Sequence, residues 1–236
     1  MLEVRDLRVS YGAVEALGGV SLTAEPGTTT AILGANGAGK SSLLRAISGL
    51  APVKSGQIRL DAEDITAVPA HRRAHLGLAH AMEGRRMFRQ LTVHDNLRLS
   101  WSFGGRTVAF PEALQLAYDR FPVLAEKART PAGLLSGGQQ QMMILCCATI
   151  RSPRYLLLDE SSLGLAPIII TQIYEFITSY ARRSGATVII AEQMAALALK
   201  VSDRGYVLRR GRIVLEGRSK ELLANGVAGA LSSTYL

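Results

Sequence analysis

Gly34-Ala35-Asn36-Gly37-Ala38-Gly39-Lys40-Ser41 decides how the rest of the chain is read. Thr29-Thr30-Ala31-Ile32-Leu33 precedes it and predicts a short buried strand. Ser42-Leu43-Leu44-Arg45-Ala46-Ile47-Ser48 follows and predicts the start of an amphipathic helix. In that strand, glycine-rich turn, helix order, the pattern G-x-x-x-x-G-K-[ST] is a phosphate site. The glycines let the main chain curl so that successive N–H groups face one hollow, which an anion can fill. The helix opening at Lys40 adds free N–H groups and the positive end of its dipole. Lys40 is placed to reach outer phosphates, and the Ser41 hydroxyl to ligate Mg²⁺. The expected contact set is Gly34, Ala35, Asn36, Gly37, Ala38, Gly39, Lys40, Ser41 and Ser42.

The composition bounds the answer. With 236 residues, 48% hydrophobic and 19% charged, the chain suits one sizeable globular domain with a full core. Its apolar runs, such as Met142 to Ile150, fall well short of the roughly 20 residues that span a bilayer. Met1-Leu2-Glu3-Val4-Arg5 lacks the layout of a signal peptide, so a cytoplasmic protein is expected. The only cysteines, Cys146 and Cys147, are adjacent in an apolar helical stretch and read as core residues of a reducing compartment. The net charge of +8 is spread over His71-Arg72-Arg73, Arg85-Arg86 with Arg89, and Arg209-Arg210 with Arg212. These clusters are scattered and carry no interleaved aromatics, so no nucleic-acid partner is expected. Part of the charge suits a position beneath an acidic membrane.

Along the chain, Leu2 to Ser10 alternates as a half-buried strand and Val20 to Ala24 reads as its partner. Tyr11-Gly12 lies between them, and its aromatic ring is either a strand end or a platform for a base. Gln57 to Leu60 and Leu76 to His80 read as strands, with a short helix at His71 to His75. Leu91 to Phe103 and Glu112 to Arg129 carry helical periodicity, punctuated by Gly104-Gly105, Pro111, Pro122 and Pro131. Tyr155 to Leu158 and Ala186 to Ala191 are fully apolar strands flanking a long helix, Pro167 to Arg183. Tyr206 to Leu208 and Arg212 to Leu215 form a hairpin, and Ser219 is the expected N-cap of a last helix, Lys220 to Ala224. The fold class expected is α/β: a mainly parallel core with an antiparallel β part. Residues 1–86 and 153–236 form that core, and residues 87–152 a helical insert.

Two further segments carry chemistry. Tyr155 to Leu158 delivers Asp159 and Glu160 to the end of its strand, where ligands of open α/β sheets collect. Asp159 there can hold Mg²⁺, and Glu160 can orient and deprotonate a water for attack on a terminal phosphate. Leu135-Ser136-Gly137-Gly138-Gln139 opens a helix and offers a second anion-binding N-terminus. One chain does not need two such sites for one phosphate tail, whereas two chains placed head to tail would use both.

In that order, the phosphate loop, Leu135-Ser136-Gly137-Gly138-Gln139 and Leu156-Leu157-Leu158-Asp159-Glu160 closely resemble the ATP-binding cassette (ABC) family of transporter ATPases, over essentially the whole chain. The resemblance implies ATP and Mg²⁺ as ligands, and two cassettes that dimerise. ATP is then held between one phosphate loop and the other chain's Ser136, Gly137, Gly138 and Gln139. It makes Tyr11 the adenine-stacking aromatic, Gln193 a phosphate-facing catalytic residue beside Glu160 and Lys40, and Glu83 a metal ligand with Ser41 and Asp159. The segments Met82 to Phe88, Leu91 to Leu97, Ser162 to Pro167, Glu192-Gln193, Asp203 to Leu208 and Gly211 to Gly217 further resemble the ATP-binding subunits of branched-chain amino acid importers. So does the tail ending Tyr235-Leu236. This implies a second, non-identical cassette, with a homodimer as the alternative. It also implies membrane-spanning permease subunits that grip the chain near Glu83 to Leu91, and a peripheral position on the cytoplasmic face of the membrane. Related cassettes serve urea or amide import, export and lipid extraction with the same catalytic residues, so the solute is not legible here.

The chain departs from the general family pattern at several places. Glu83 stands where most cassettes have Gln, and Gln193 where most have His, although the branched-chain subfamily shares both. Ser161 stands where Pro is usual after the catalytic Glu, Met82 where Pro usually precedes Glu83, and Cys147 where Arg is common. These departures bear on loop geometry and turnover rate, not on ATP binding.

Overall fold

In the computed structural model, residues 1–103 and 108–226 are described. Gly104-Gly105 and the Tyr235-Leu236 tail lie outside them. Strands β1 (Leu2–Tyr11), β2 (Val14–Ala24), β4 (Val53–Leu60) and β5 (Glu63–Asp64) form an antiparallel sheet in the order β2-β1-β4-β5. The second sheet runs β10-β9-β3-β8-β7-β6. It comprises β3 (Thr29–Leu33), β6 (Leu78–Ala81), β7 (Tyr155–Asp159), β8 (Thr187–Glu192), β9 (Arg204–Arg209) and β10 (Arg212–Arg218). All its pairs are parallel except the β9–β10 hairpin at the edge.

Every residue of β3, β7 and β8 is buried, as strands covered on both faces must be. Side chains of a strand alternate between its faces, so one strand feeds two cores. Ala31, Leu33, Leu156, Leu158, Val188 and Ile190 face one layer, and Ile32, Leu157, Ile189 and Ala191 face the other. The second layer packs α1 (Lys40–Ile47) and the antiparallel sheet. The first takes six further helices: α3 (Val93–Ser102), α4 (Phe110–Arg120), α5 (Pro122–Glu126), α6 (Gly137–Thr149), α7 (Pro167–Ser184) and α8 (Ala195–Val201). Two short α-helices, α2 (Ala70–His75) and α9 (Ser219–Ala224), and a 3-10 turn at Ala132–Leu134 complete the set among the described residues.

Two local readings are corrected. The helical stretch read over Glu112 to Arg129 ends early, at Glu126; it divides at Phe121 (φ −132°, ψ 83°), where Pro122 punctuates it and α5 restarts. The proline ring disfavours helical geometry in the residue before it. Ser219 is not the N-cap of α9 but its first residue, with Arg218 at the cap position. The Ser219 N–H donates to Asp203 O (3.1 Å), which draws Ser219 into the helix, and its hydroxyl is buried without a hydrogen bond. Cys146 and Cys147 are both free thiols in α6; Cys146 is buried in the core, and Cys147 is half-buried against it. Burial pushes the Cys147 thiol up to about 11, so it is held in its unreactive protonated form.

Candidate nucleotide site

The parallel pairing aligns the C-terminal ends of β6, β3, β7 and β8 along one edge of the sheet. Leu33 pairs with Glu192, Asp159 with Ala191, and Ala81 with Leu158. The phosphate loop leaves β3, Asp159 ends β7, Glu160 follows it, Gln193 follows β8, and Glu83 lies two residues beyond β6. Residues scattered over the sequence are thereby gathered at one rim, where open α/β sheets bind their ligands.

Close packing fixes the loop itself. A Cβ on Gly34 would stand 2.4 Å from Leu208 O, so only glycine allows the β9 backbone to approach there. Gly39 caps α1 at φ 109°, and a Cβ on it would lie 2.8 Å from Ala16 O. The β9–β10 turn holds the loop from outside, with Gly211 N–H donating to Ala38 O at 2.9 Å. Inside the loop, Lys40 is 4% exposed; its ammonium donates to Gly34 O (2.9 Å) and Ala35 O (3.1 Å) and lies 3.2 Å from Glu160 Oε1.

Ser41 Oγ donates to Asp159 Oδ1 at 3.1 Å. Asp159 is buried, and its carboxyl is pushed up to about 6. Burial is the main cause; the Ser41 hydrogen bond opposes it, the charges of Glu83 and Glu160 add to it, and Lys40 subtracts. Three carboxylates thus face one rim with a single buried lysine between them. That excess of negative charge, with a hydroxyl and a carboxylate already in contact, is an all-oxygen donor set that fits Mg²⁺. Among the described residues no group of three or more His, Cys, Asp or Glu is placed to hold a metal ion by itself. An ion here would therefore complete its shell from water and phosphate oxygens, as Mg²⁺ does.

Glu160 adopts φ 48°, a left-handed conformation that is unfavourable for a residue with a side chain. The conformation is held by its N–H donating to Ala191 O of β8 (2.9 Å). Strained residues of this kind cluster at functional sites.

A cleft of about 660 Å³ opens beside the loop, lined by Asn36, Lys40, Ser41, Ser42, Glu83 and Glu160 among others. Val14, Ala16, Leu163 and Arg210 also line it. The sequence reading named none of these four as site residues, although Leu163 lay in the Ser162 to Pro167 segment and Arg210 in the basic Arg209-Arg210 cluster. Tyr11, at the end of β1 opposite Val14, is 42% exposed and is not part of this lining. Gln193 is half-buried at the rim.

The Ser136 segment lies elsewhere. Ser136 caps α6 in a reciprocal box: Gln139 N–H donates to Ser136 Oγ (3.3 Å), and Ser136 N–H donates to Gln139 Oε1 (3.0 Å). Gly137 lies against the Arg85 guanidinium and Gly138 against Ile169 of α7. Ser136 and Gln139 line a separate cavity of about 490 Å³ with Gln172 and Glu175. Within one chain the N-termini of α1 and α6 therefore line separate cavities. Ser161, where Pro was expected, is 2% exposed, and its hydroxyl has no hydrogen bond.

The family model described as "ABC transporter" matches residues 17–162, more than half of the chain. The chain is 42% identical over 228 residues to the high-affinity branched-chain amino acid transport ATP-binding protein BraG of Pseudomonas aeruginosa, covering 95% of this chain and 96% of that one. It is 34% identical over 223 residues to the probable branched-chain amino acid transport ATP-binding protein LivF of Archaeoglobus fulgidus, with 94% of each covered. Among solved structures, the ADP conformation of an ATP-binding cassette of an ABC transporter superposes with a TM-score of 0.83. That match has 26% identity and covers 98% of each chain.

Proposed function

The chain belongs to the ABC transporter family. From that premise we propose that it is the ATP-binding and ATP-hydrolysing subunit of an importer of branched-chain or related amino acids, driving uptake through separate membrane-spanning subunits. The observation that carries the reading is the convergence of Lys40, Ser41, Asp159 and Glu160 on the phosphate loop at one sheet edge. The likeness to BraG over nearly the whole of both chains supports the choice of solute class.

In this reading the loop amides of residues 34–42 cradle the phosphates, and Lys40 turns from the Gly34 and Ala35 carbonyls toward the outer ones. Ser41, Asp159 and Glu83 would hold Mg²⁺, which when bound would neutralise charge on the phosphate oxygens. Glu160 orients a water and accepts its proton as that water attacks the terminal phosphate; such a base contributes on the order of 10²- to 10⁴-fold. Gln193 donates a hydrogen bond to the terminal phosphate from the neighbouring strand end. Tyr11, with Val14 and Ala16, flanks the adenine.

The separation of Ser136 from the cleft within one chain supports a head-to-tail pair of cassettes. There Ser136, Gly137, Gly138 and Gln139 of one chain close over the ATP of the other. A homologous, non-identical partner fits importers of this kind. Residues 87–152 act as a helical subdomain presenting the Ser136 segment. Among the described residues no helix is long and apolar enough to cross a membrane. A groove of about 750 Å³ between β6 and the helices, with Met82, Met87, Phe88 and Ile144 in its lining, supports the expected permease contact near Glu83 to Leu91.

The test is to purify the chain with its co-expressed partners and ask which solute stimulates ATP hydrolysis. Stimulation by leucine, isoleucine or valine with their binding protein is expected. Stimulation confined to a solute of another class would overturn the assignment while leaving the ATPase intact.

A further inference from the structure

Glu192, the last residue of β8, is 2% exposed and takes no part in the chemistry derived above. Its carboxylate accepts two hydrogen bonds from one residue: Ser162 N–H to Oε1 at 3.2 Å and Ser162 O–H to Oε2 at 2.7 Å. Ser162 is itself 3% exposed and lies two residues after Glu160, in the loop that runs on to Pro167 and α7. The Tyr174 hydroxyl of α7 is buried beside the pair without a hydrogen bond of good geometry. Among the described residues no lysine, arginine or histidine lies within ion-pair distance of Glu192.

A buried carboxylate without a cation is costly, and a well-packed apolar residue would do better for stability alone. Burial favours the protonated form of Glu192, and the Ser162 bonds pull the other way. What the carboxylate supplies in return is geometric. It is a two-point clamp between the strand end that carries Gln193 and the loop that begins at Glu160. Glu160 is fastened to the same strand by its N–H on Ala191 O. The strand end and the loop are thus joined twice, once through backbone and once through the Glu192–Ser162 pair.

We propose that Glu192 is a positioning residue, a latch that makes Gln193 and the loop from Ser161 to Ala166 move as one body. Contact of Gln193 with the terminal phosphate is thereby passed to Glu160 and to the loop facing the partner chain. The latch rests on the reading of Gln193 and Glu160 given under the proposed function. It assigns no contact with nucleotide to Glu192 itself.

The experiment is steady-state ATPase kinetics on the full chain, with thermal melts alongside, for Glu192→Gln, Glu192→Ala, Ser162→Ala and the double variant Glu192→Ala/Ser162→Ala. A glutamine at 192 can accept from the Ser162 N–H and donate to the Ser162 hydroxyl, so it preserves both bonds. The latch predicts that Glu192→Ala and Ser162→Ala each lower kcat about tenfold with KM for ATP nearly unchanged. It predicts that Glu192→Gln stays within about threefold of the parent. Because the two residues act as one unit, the double variant is no slower than the worse single one. The latch is overturned if kcat survives both alanine substitutions, if KM rises in step with the loss, if glutamine is as damaging as alanine, or if the two losses multiply. Should Glu192→Ala fail to fold, Ser162→Ala decides alone on the same criteria. A parent chain that neither binds nor hydrolyses ATP would instead overturn the functional reading beneath it.

Discussion

Lys40 and Glu160 form a buried ion pair across the phosphate loop, with Nζ 3.2 Å from Oε1 and side-chain exposures of 4% and 9%. The residue read as the phosphate ligand and the residue read as the base therefore hold each other. A triphosphate entering the loop competes with Glu160 for the Lys40 ammonium and would free the carboxylate to accept a proton. Under the proposed function, the pair would tie nucleotide binding to activation of the base.

Replacing Lys40 with alanine removes the cation and leaves Glu160 and Asp159 buried with their charges less compensated. The variant also lacks the charged contact with the outer phosphates, worth about 2 to 3 kcal/mol, so ATP affinity should fall on the order of 100-fold. A nucleotide titration of Lys40→Ala that matches the parent would remove Lys40 from the site.

Arg73 is 2% exposed and fastens the far end of the phosphate-loop helix. Its guanidinium donates to Ala46 O and Ile47 O at the end of α1, to Val68 O (each 2.7 Å) and to Thr66 O (2.9 Å). The α1 carbonyls and helix dipole stabilise a cation that has no carboxylate in contact. A lysine cannot span these acceptors, so Arg73→Lys should lose about 2 to 4 kcal/mol of stability in urea denaturation. An unchanged midpoint would contradict this account of α1.

Among the described residues the buried Ser161 hydroxyl has no hydrogen-bond partner. Removing an unsatisfied buried polar group relieves a penalty of about 1 to 3 kcal/mol. Ser161→Ala should therefore raise the melting temperature by about 2 °C or more. A lower melting temperature would mean that the hydroxyl has a partner in solution.

His80 on β6 is held neutral, its pKa lowered to about 4 by burial first and then by the positive charges of Arg45 and Arg86. Its Nδ1 faces Ser48 Oγ at 3.0 Å, and its Nε2 is buried without a partner. The unfolded chain takes up this proton near pH 6.5, the folded chain only near pH 4. The contribution to stability is therefore whole above pH 6.5 and is lost as pH falls toward 4. His80→Gln should flatten the decline of stability across that window, measured by denaturation at several pH values. A parallel decline in both proteins would exclude His80 as its source.

Much of the site was legible because its chemistry is local. The loop from Gly34 to Ser41 needs glycines where the backbone meets Leu208 O and Ala16 O, and such a demand leaves a fixed spacing in the sequence. Asp159 and Glu160 were found because a fully buried strand ends in acids. What could not be read depends on tertiary contact. Val14 and Arg210 reach the cleft only because two hairpin turns fold over the loop. The Glu192–Ser162 pair joins residues 30 positions apart by strand order alone. Helix ends were missed where a proline restriction at Phe121, or the tertiary bond from Ser219 N–H to Asp203 O, outweighed periodicity and cap preference.

The central claim is that ATP is held between this chain's phosphate loop and the Ser136 end of a neighbouring cassette, with Glu160 as the base. Its most direct test is sedimentation of Glu160→Gln with Mg²⁺-ATP, alone and with the homologous second cassette. The account predicts nucleotide bound at near-parental affinity, hydrolysis slowed by on the order of 10²-fold or more, and a dimer that appears only with ATP. A variant that turns over ATP at the parental rate, or that binds ATP yet stays monomeric under both conditions, would contradict it.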